Sequence, residues 1–137
     1  MYIKKENYLN YLMISIFIFF LFFKIYNSLT AGLMYDEPET LYNAKQIYQG
    51  KLPFVDYFEH HPIVSYILLA PFSDISVWEY QRVLMAILSI ISAIVLYIFL
   101  SDIFSKKISM LCSISFLVSP LLNRMSIMII PDSFMIF

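Results

Sequence analysis

Val83 to Leu100 is an uninterrupted apolar run in which only Ser89 and Ser92 are polar, and no other feature constrains the chain as strongly. About 20 apolar residues cross the hydrocarbon layer of a bilayer as a helix, so this run reads as a membrane span. Tyr8 to Tyr26 meets the same length if Lys24, the charge within it, snorkels outward. Composition agrees: 61% of the 137 residues are hydrophobic and 14% are charged, against about 25% charged in a soluble domain. The 13 Phe suit hydrocarbon and the 11 Tyr suit the headgroup level. For the N-terminal run the rival reading is a cleaved signal peptide, because Lys4 and Lys5 precede it. The run is long for that role, further spans follow, and Thr30-Ala31-Gly32 is a weak cleavage site.

Several functions are disfavoured by what the chain lacks. A net charge of -1 gives no electrostatic case for nucleic acid. Two glycines cannot build a Gly-rich phosphate loop, and the single Cys112 cannot form an intramolecular disulfide.

The pattern divides the chain into three parts. Residues 1–33 are a tail and a first span, 34–82 a polar loop, and 83–137 a second span, a third over Ile108–Leu122 and the start of a fourth from Ser133. Lys4 and Lys5 before the first span, and Lys106 and Lys107 between the second and third, fall on one side of such a membrane. The positive-inside rule makes that side cytoplasmic, so the 34–82 loop is expected outside. Within the loop, Glu37 to Gln49 reads as a helix, with Pro38 in its first turn, Leu41, Ala44 and Tyr48 on one face, and Gly50 as the stop. Ile63 to Phe72 is too short to span and suits a helix lying at the interface or re-entering. Trp78 and Tyr80 then mark a headgroup level.

The polar loop holds the residues that carry chemistry. Asp36-Glu37, just after the first span, suits a general base or a ligand for a cation or sugar hydroxyl. The competing reading is helix capping by Asp36, with Glu39 completing a capping-box pattern. The two are compatible, since a capped carboxylate is also a fixed one. Asp56-Tyr57-Phe58-Glu59-His60-His61-Pro62 mixes rings with carboxylates, as a sugar-binding surface does. Adjacent histidines on an extended chain point to opposite faces, so this stretch predicts no dedicated metal site. Asp132, after Pro131, is a second acid on the outer side, or another helix cap; Arg124 suits a pairing with it or a phosphate.

One span, then Asp36-Glu37, a helix ending at Gly50, Pro53-Phe54-Val55-Asp56 and His60-His61-Pro62: this order resembles the N-terminal end of the GT-C membrane glycosyltransferases. The likeness is to the protein mannosyltransferase and lipid A aminoarabinose transferase-like group, including lipopolysaccharide galacturonosyltransferase-like domains. It implies an all-α polytopic membrane protein, the N-terminal part of a GT-C bundle with interfacial helices in the first outer loop. It implies transfer of a sugar from a polyprenyl-phosphate carrier to a lipid, glycan or protein acceptor at the outer face of the cell membrane. In that frame Asp36 is the catalytic acid position, Glu37 its motif partner, and Asp132 the acid of the next outer loop. Asp56 and His61 fall on loop positions that family members often fill similarly; with Asp132 and Arg124 they are the candidate substrate-binding residues. The resemblance implies no certain cofactor, with a divalent cation on Asp36 and Asp132 as the variant. Family members carry about a dozen spans, so this chain is expected to be the N-terminal fragment of a longer enzyme and inactive alone. The alternative from another class is a non-catalytic membrane subunit or part of a transporter.

Overall fold

The computed structural model describes residues 2–32, 36–58, 61, 63–73 and 78–130, with residues 2–7 as backbone only. Its described elements are all helical. They are α1 (Tyr2–Thr30), α2 (Glu37–Tyr48), α3 (Ile63–Leu69) running into a 3-10 turn (Ala70–Phe72), α4 (Trp78–Ile103), α5 (Lys106–Val118) and α6 (Pro120–Met125).

Two of these, over Tyr8–Thr30 and Trp78–Ile103, are long and apolar enough to cross a membrane. They run antiparallel. Tyr97 donates to Asn10 at one end of the pair (3.2 Å), and the Ser28 hydroxyl donates to the Arg82 carbonyl at the other (3.5 Å). Only 22% and 28% of their apolar windows are buried, so most of each surface faces outward. On α4 the outward face is Ile87, Ile91, Val95 and Ile98, four apolar side chains at helical spacing. The inward face is Ala86, Ser89 and Ala93 together with Met85 and Ile90, and α5 turns Ser109 and Ser113 inward beside Leu117. Large apolar groups outside, and small residues among the inward ones, suit a lipid solvent. Small residues let helix backbones approach where apolar burial gives no advantage over lipid. The hydroxyls of Ser89 and Ser109 fold back onto carbonyls of their own helices, Ala86 at 2.8 Å and Ser105 at 3.2 Å. Met13, Phe17, Ile90, Ala93 and Leu117 form the core where α1, α4 and α5 meet.

The segment expected as a third span, Ile108–Leu122, is instead two helices broken at Ser119. The residue before a proline is pushed to extended backbone, and Ser119 sits at φ -50°, ψ 123° before Pro120. The 13 residues of α5 reach about 20 Å at 1.5 Å each, short of the ~30 Å hydrocarbon core. The fourth span expected from Ser133 lies outside the described residues.

A second, smaller core caps one end of the bundle: Leu41 and Ala44 of α2, Leu69 of α3 and Ile129, with Trp78 against them. The helix expected over Glu37–Gln49 forms as Glu37–Tyr48, with Pro38 in its first turn. Gly50, at φ 82°, ends it. The Gly50 N–H donates to the Ile47 carbonyl at 2.9 Å and the Lys51 N–H to the Gln46 carbonyl at 3.0 Å, the paired bonds of a Schellman stop. Ile63–Phe72 forms the short helix α3 and its 3-10 extension.

Candidate functional site

Where α1 ends, α2 begins and α4 starts, the chain buries an ion pair. Glu37, the first residue of α2, and Arg82, in the opening turns of α4, are both fully buried. Arg82 Nε donates to Glu37 Oε1 at 2.8 Å, and Nη2 meets Oε2 to complete a bidentate pair. The rest of the guanidinium turns to the end of α1: Nη1 donates to the Ala31 carbonyl at 2.6 Å and Nη2 to the Gly32 carbonyl at 2.7 Å. Carbonyls past a helix C-terminus lack partners in the helix, and a cation there also meets the negative end of its dipole. Glu37 at an N-terminus meets the opposite, positive end. Its Oε1 further accepts the Ile129 N–H at 2.8 Å. The Trp78 ring covers the guanidinium at 4.5 Å, within cation–π range. One carboxylate and one guanidinium thus hold the end of α1, the start of α2, the start of α4 and the segment after α6.

Lys24 extends this polar junction down α1. Snorkelling was expected; instead the side chain is buried, and Nζ donates to Asn123 Oδ1 at 3.1 Å and Ser126 Oγ at 2.6 Å. The reason is its register. Met13, Phe17, Lys24 and Ser28 are all buried and recur at helical spacing on one side of α1. That side faces the bundle.

Asp36 sits beside Glu37 in the chain but in another environment. It is exposed. Its backbone is already helical (φ -91°, ψ -10°), and it makes no side-chain cap bond. Capping by a side chain normally needs the extended conformation, so the capping reading of Asp36 and Glu39 is not realised. The Asp36 carbonyl instead accepts the Thr40 N–H at 3.3 Å and hydroxyl at 3.1 Å. The Asp36 carboxylate therefore remains at the surface, on a backbone pinned by its neighbour. Glu37, with no exposed surface and bonds to Arg82 and Ile129, is an anchor and has no path to a substrate proton.

The remaining predicted residues scatter. Asp56 is exposed and bends back, its Oδ2 accepting the Leu52 N–H at 2.7 Å. It lies past the far end of the 12-residue α2, about 18 Å of helix from Asp36. His61 is half-buried and Arg124 exposed. Arg82 is occupied by Glu37 and by the Ala31 and Gly32 carbonyls. Asp132, Glu59 and His60 lie outside the described residues, and with Asp132 the cation site it would share with Asp36. Among the described residues no three His, Cys, Asp or Glu side chains converge as metal ligands. Sequence reasoning missed the Glu37–Arg82 pairing and the burial of Lys24. The available signal was that a charge within or just beside an apolar span is costly unless paired. Comparison with protein-family models, curated proteins and solved structures finds no match, so what this chain shows of itself is an all-helical architecture with two helices fit to span a membrane.

Proposed function

We propose that this chain is the N-terminal part of a GT-C type membrane glycosyltransferase. It would move a sugar from a polyprenyl-phosphate carrier to a hydroxyl acceptor at the outer membrane face. The N-terminus and the α4–α5 turn are cytoplasmic in this reading, and residues 34–82 lie outside. One observation carries it: Asp36 presents an exposed carboxylate at the end of two span-length helices, while Glu37 and Arg82 immobilise the backbone it stands on. A general base needs both access and a fixed position.

In the step proposed, Asp36 takes the proton of the acceptor hydroxyl. The hydroxyl oxygen bonds to the anomeric carbon of the sugar. The carbon–oxygen bond to phosphate breaks, and polyprenyl phosphate leaves with the electron pair. Arg124, exposed on α6, is a cation suited to that phosphate charge. Asp56 and His61 belong to the loop offered to the sugar.

The second reading, a transporter fragment or non-catalytic subunit, draws on Lys24. A buried ammonium inside a span-length helix is the kind of group that lines transport pathways. The experiment that separates the two is transfer from a polyprenyl-phosphate sugar by membranes carrying the intact gene product, wild type against Asp36→Asn. The enzyme reading expects transfer lost with the protein still folded. Wild-type rates in the variant would refute it.

A further inference from the structure

The turn after α2 has a set of properties that its position alone does not require. Leu52, Phe54 and Val55 are 60%, 63% and 76% exposed. Phe54 adopts φ 66°, left-handed backbone that a bulky residue rarely takes. Nothing in a water-exposed turn would favour phenylalanine there over glycine or asparagine. Yet the N–H groups are all turned inward. The Leu52 N–H donates to Asp56 Oδ2 (2.7 Å), the Phe54 N–H to the Tyr57 carbonyl (2.9 Å), and the Val55 and Asp56 N–H groups to the Leu52 carbonyl (3.2 and 2.9 Å). Residue 53 is proline and has no N–H. Every N–H from 52 to 56 therefore has a partner within the turn. Water does not demand that of an exposed loop; an apolar medium does, because an unpaired N–H there is costly.

The turn is also held near the span ends. The N-terminus of α2 is tied to Arg82 through Glu37. Its C-terminal residues Lys45 and Tyr48 share a cavity of about 390 Å³ with Ala70, Pro71 and Ser73. The neighbouring Phe72 carbonyl accepts a hydrogen bond from Gln81 Nε2. Both ends of α2 are thus linked to consecutive residues of α4, so α2 lies across the end of the bundle and does not project from it. Lys45, Tyr48 and Lys51, at the neck of the turn, are exposed and are residue types that favour the headgroup level.

We propose that residues 52–55 are a lipid finger: Leu52, Phe54 and Val55 enter the acyl–headgroup boundary of the adjacent leaflet, with Asp56 and Lys51 at the headgroups. The occupant is the bilayer itself. The N–H groups satisfied within the turn and the tether to α4 favour it over a soluble protein or a free sugar. The placement stands or falls independently of any transfer activity.

Nitroxide accessibility tests it on the whole chain in phosphatidylethanolamine–phosphatidylglycerol vesicles. In a Cys112→Ser background, labels are placed through Val55→Cys, Leu52→Cys and, as a reference, Gln49→Cys. The finger predicts that collisions with oxygen exceed those with a water-soluble nickel chelate several-fold at 55 and 52, and the reverse at 49. Chelate collisions dominating at both 55 and 52 would place the turn in water and overturn the proposal. Low collision rates with both agents at these sites would place it against protein, which overturns it equally.

Discussion

Replacing Arg82 by Met removes a guanidinium from a site with no exposed surface, leaving the buried Glu37 carboxyl without its bidentate partner. Breaking a buried pair from one side costs about 3–5 kcal/mol. Glu37→Met leaves the opposite charge, with the Ala31 and Gly32 carbonyls and the Trp78 ring as partners, and frees the Ile129 N–H; its cost is also about 3–5 kcal/mol. The double variant carries neither charge. It leaves three neutral groups unpaired, the two carbonyls and the Ile129 N–H, at about 1 kcal/mol each. Additivity would make the double variant about 6–10 kcal/mol less stable than wild type, whereas the pair predicts about 3 kcal/mol. The coupling is then at least about 3 kcal/mol in favour of the double variant. Reversible unfolding in mixed detergent–SDS micelles, followed by far-UV circular dichroism, measures all four corners of the cycle. Single-variant costs that add within about 0.5 kcal/mol would show that the two side chains do not meet.

Other outcomes follow from the same geometry. Lys24→Met exchanges a desolvated ammonium for an apolar chain of similar size and removes one hydrogen bond each from Asn123 and Ser126. The gain and the losses nearly offset, so global stability should move by less than about 1 kcal/mol, while amide exchange over residues 123–129 should accelerate; unchanged exchange there would refute the docking of α6 by Lys24. Gly50→Ala meets no atom within 4 Å of the new Cβ, so its cost is the left-handed backbone alone, about 1–2 kcal/mol in the same unfolding assay. Asp36→Asn removes a charge that makes no side-chain cap bond, and its unfolding free energy should stay within about 0.5 kcal/mol of wild type.

Runs and punctuation in the sequence located the two long helices and α2 well. An apolar run announces a span, and Pro38 and Gly50 bracket a helix because each acts on its own backbone. Partners are different. Glu37 and Arg82 stand 45 residues apart, and Lys24 reaches Asn123 and Ser126 across 99 and 102 residues, so no local pattern pairs them. The face of α1 was equally illegible. Its large apolar residues point to both sides, with Met13 and Phe17 buried and Ile18 and Phe22 exposed. Without a polar stripe there was nothing to say that Lys24 looks inward. The break at Ser119 was written in Pro120, but apolar residues on both sides of it concealed the stop. The Asp36 cap failed because its backbone is already helical, a torsion that composition does not reveal.

In the proposed reading the neighbours divide the labour: Glu37 holds the junction and Asp36 reacts at its surface. Unfolding and sugar transfer, measured side by side for Asp36→Asn and Glu37→Gln in the intact gene product, separate the two roles. The account predicts opposite signatures: Asp36→Asn unfolds like wild type and transfers nothing, whereas Glu37→Gln is destabilised by more than about 1 kcal/mol and retains transfer in whatever fraction stays folded. Wild-type transfer by Asp36→Asn, or wild-type stability of Glu37→Gln, would contradict it.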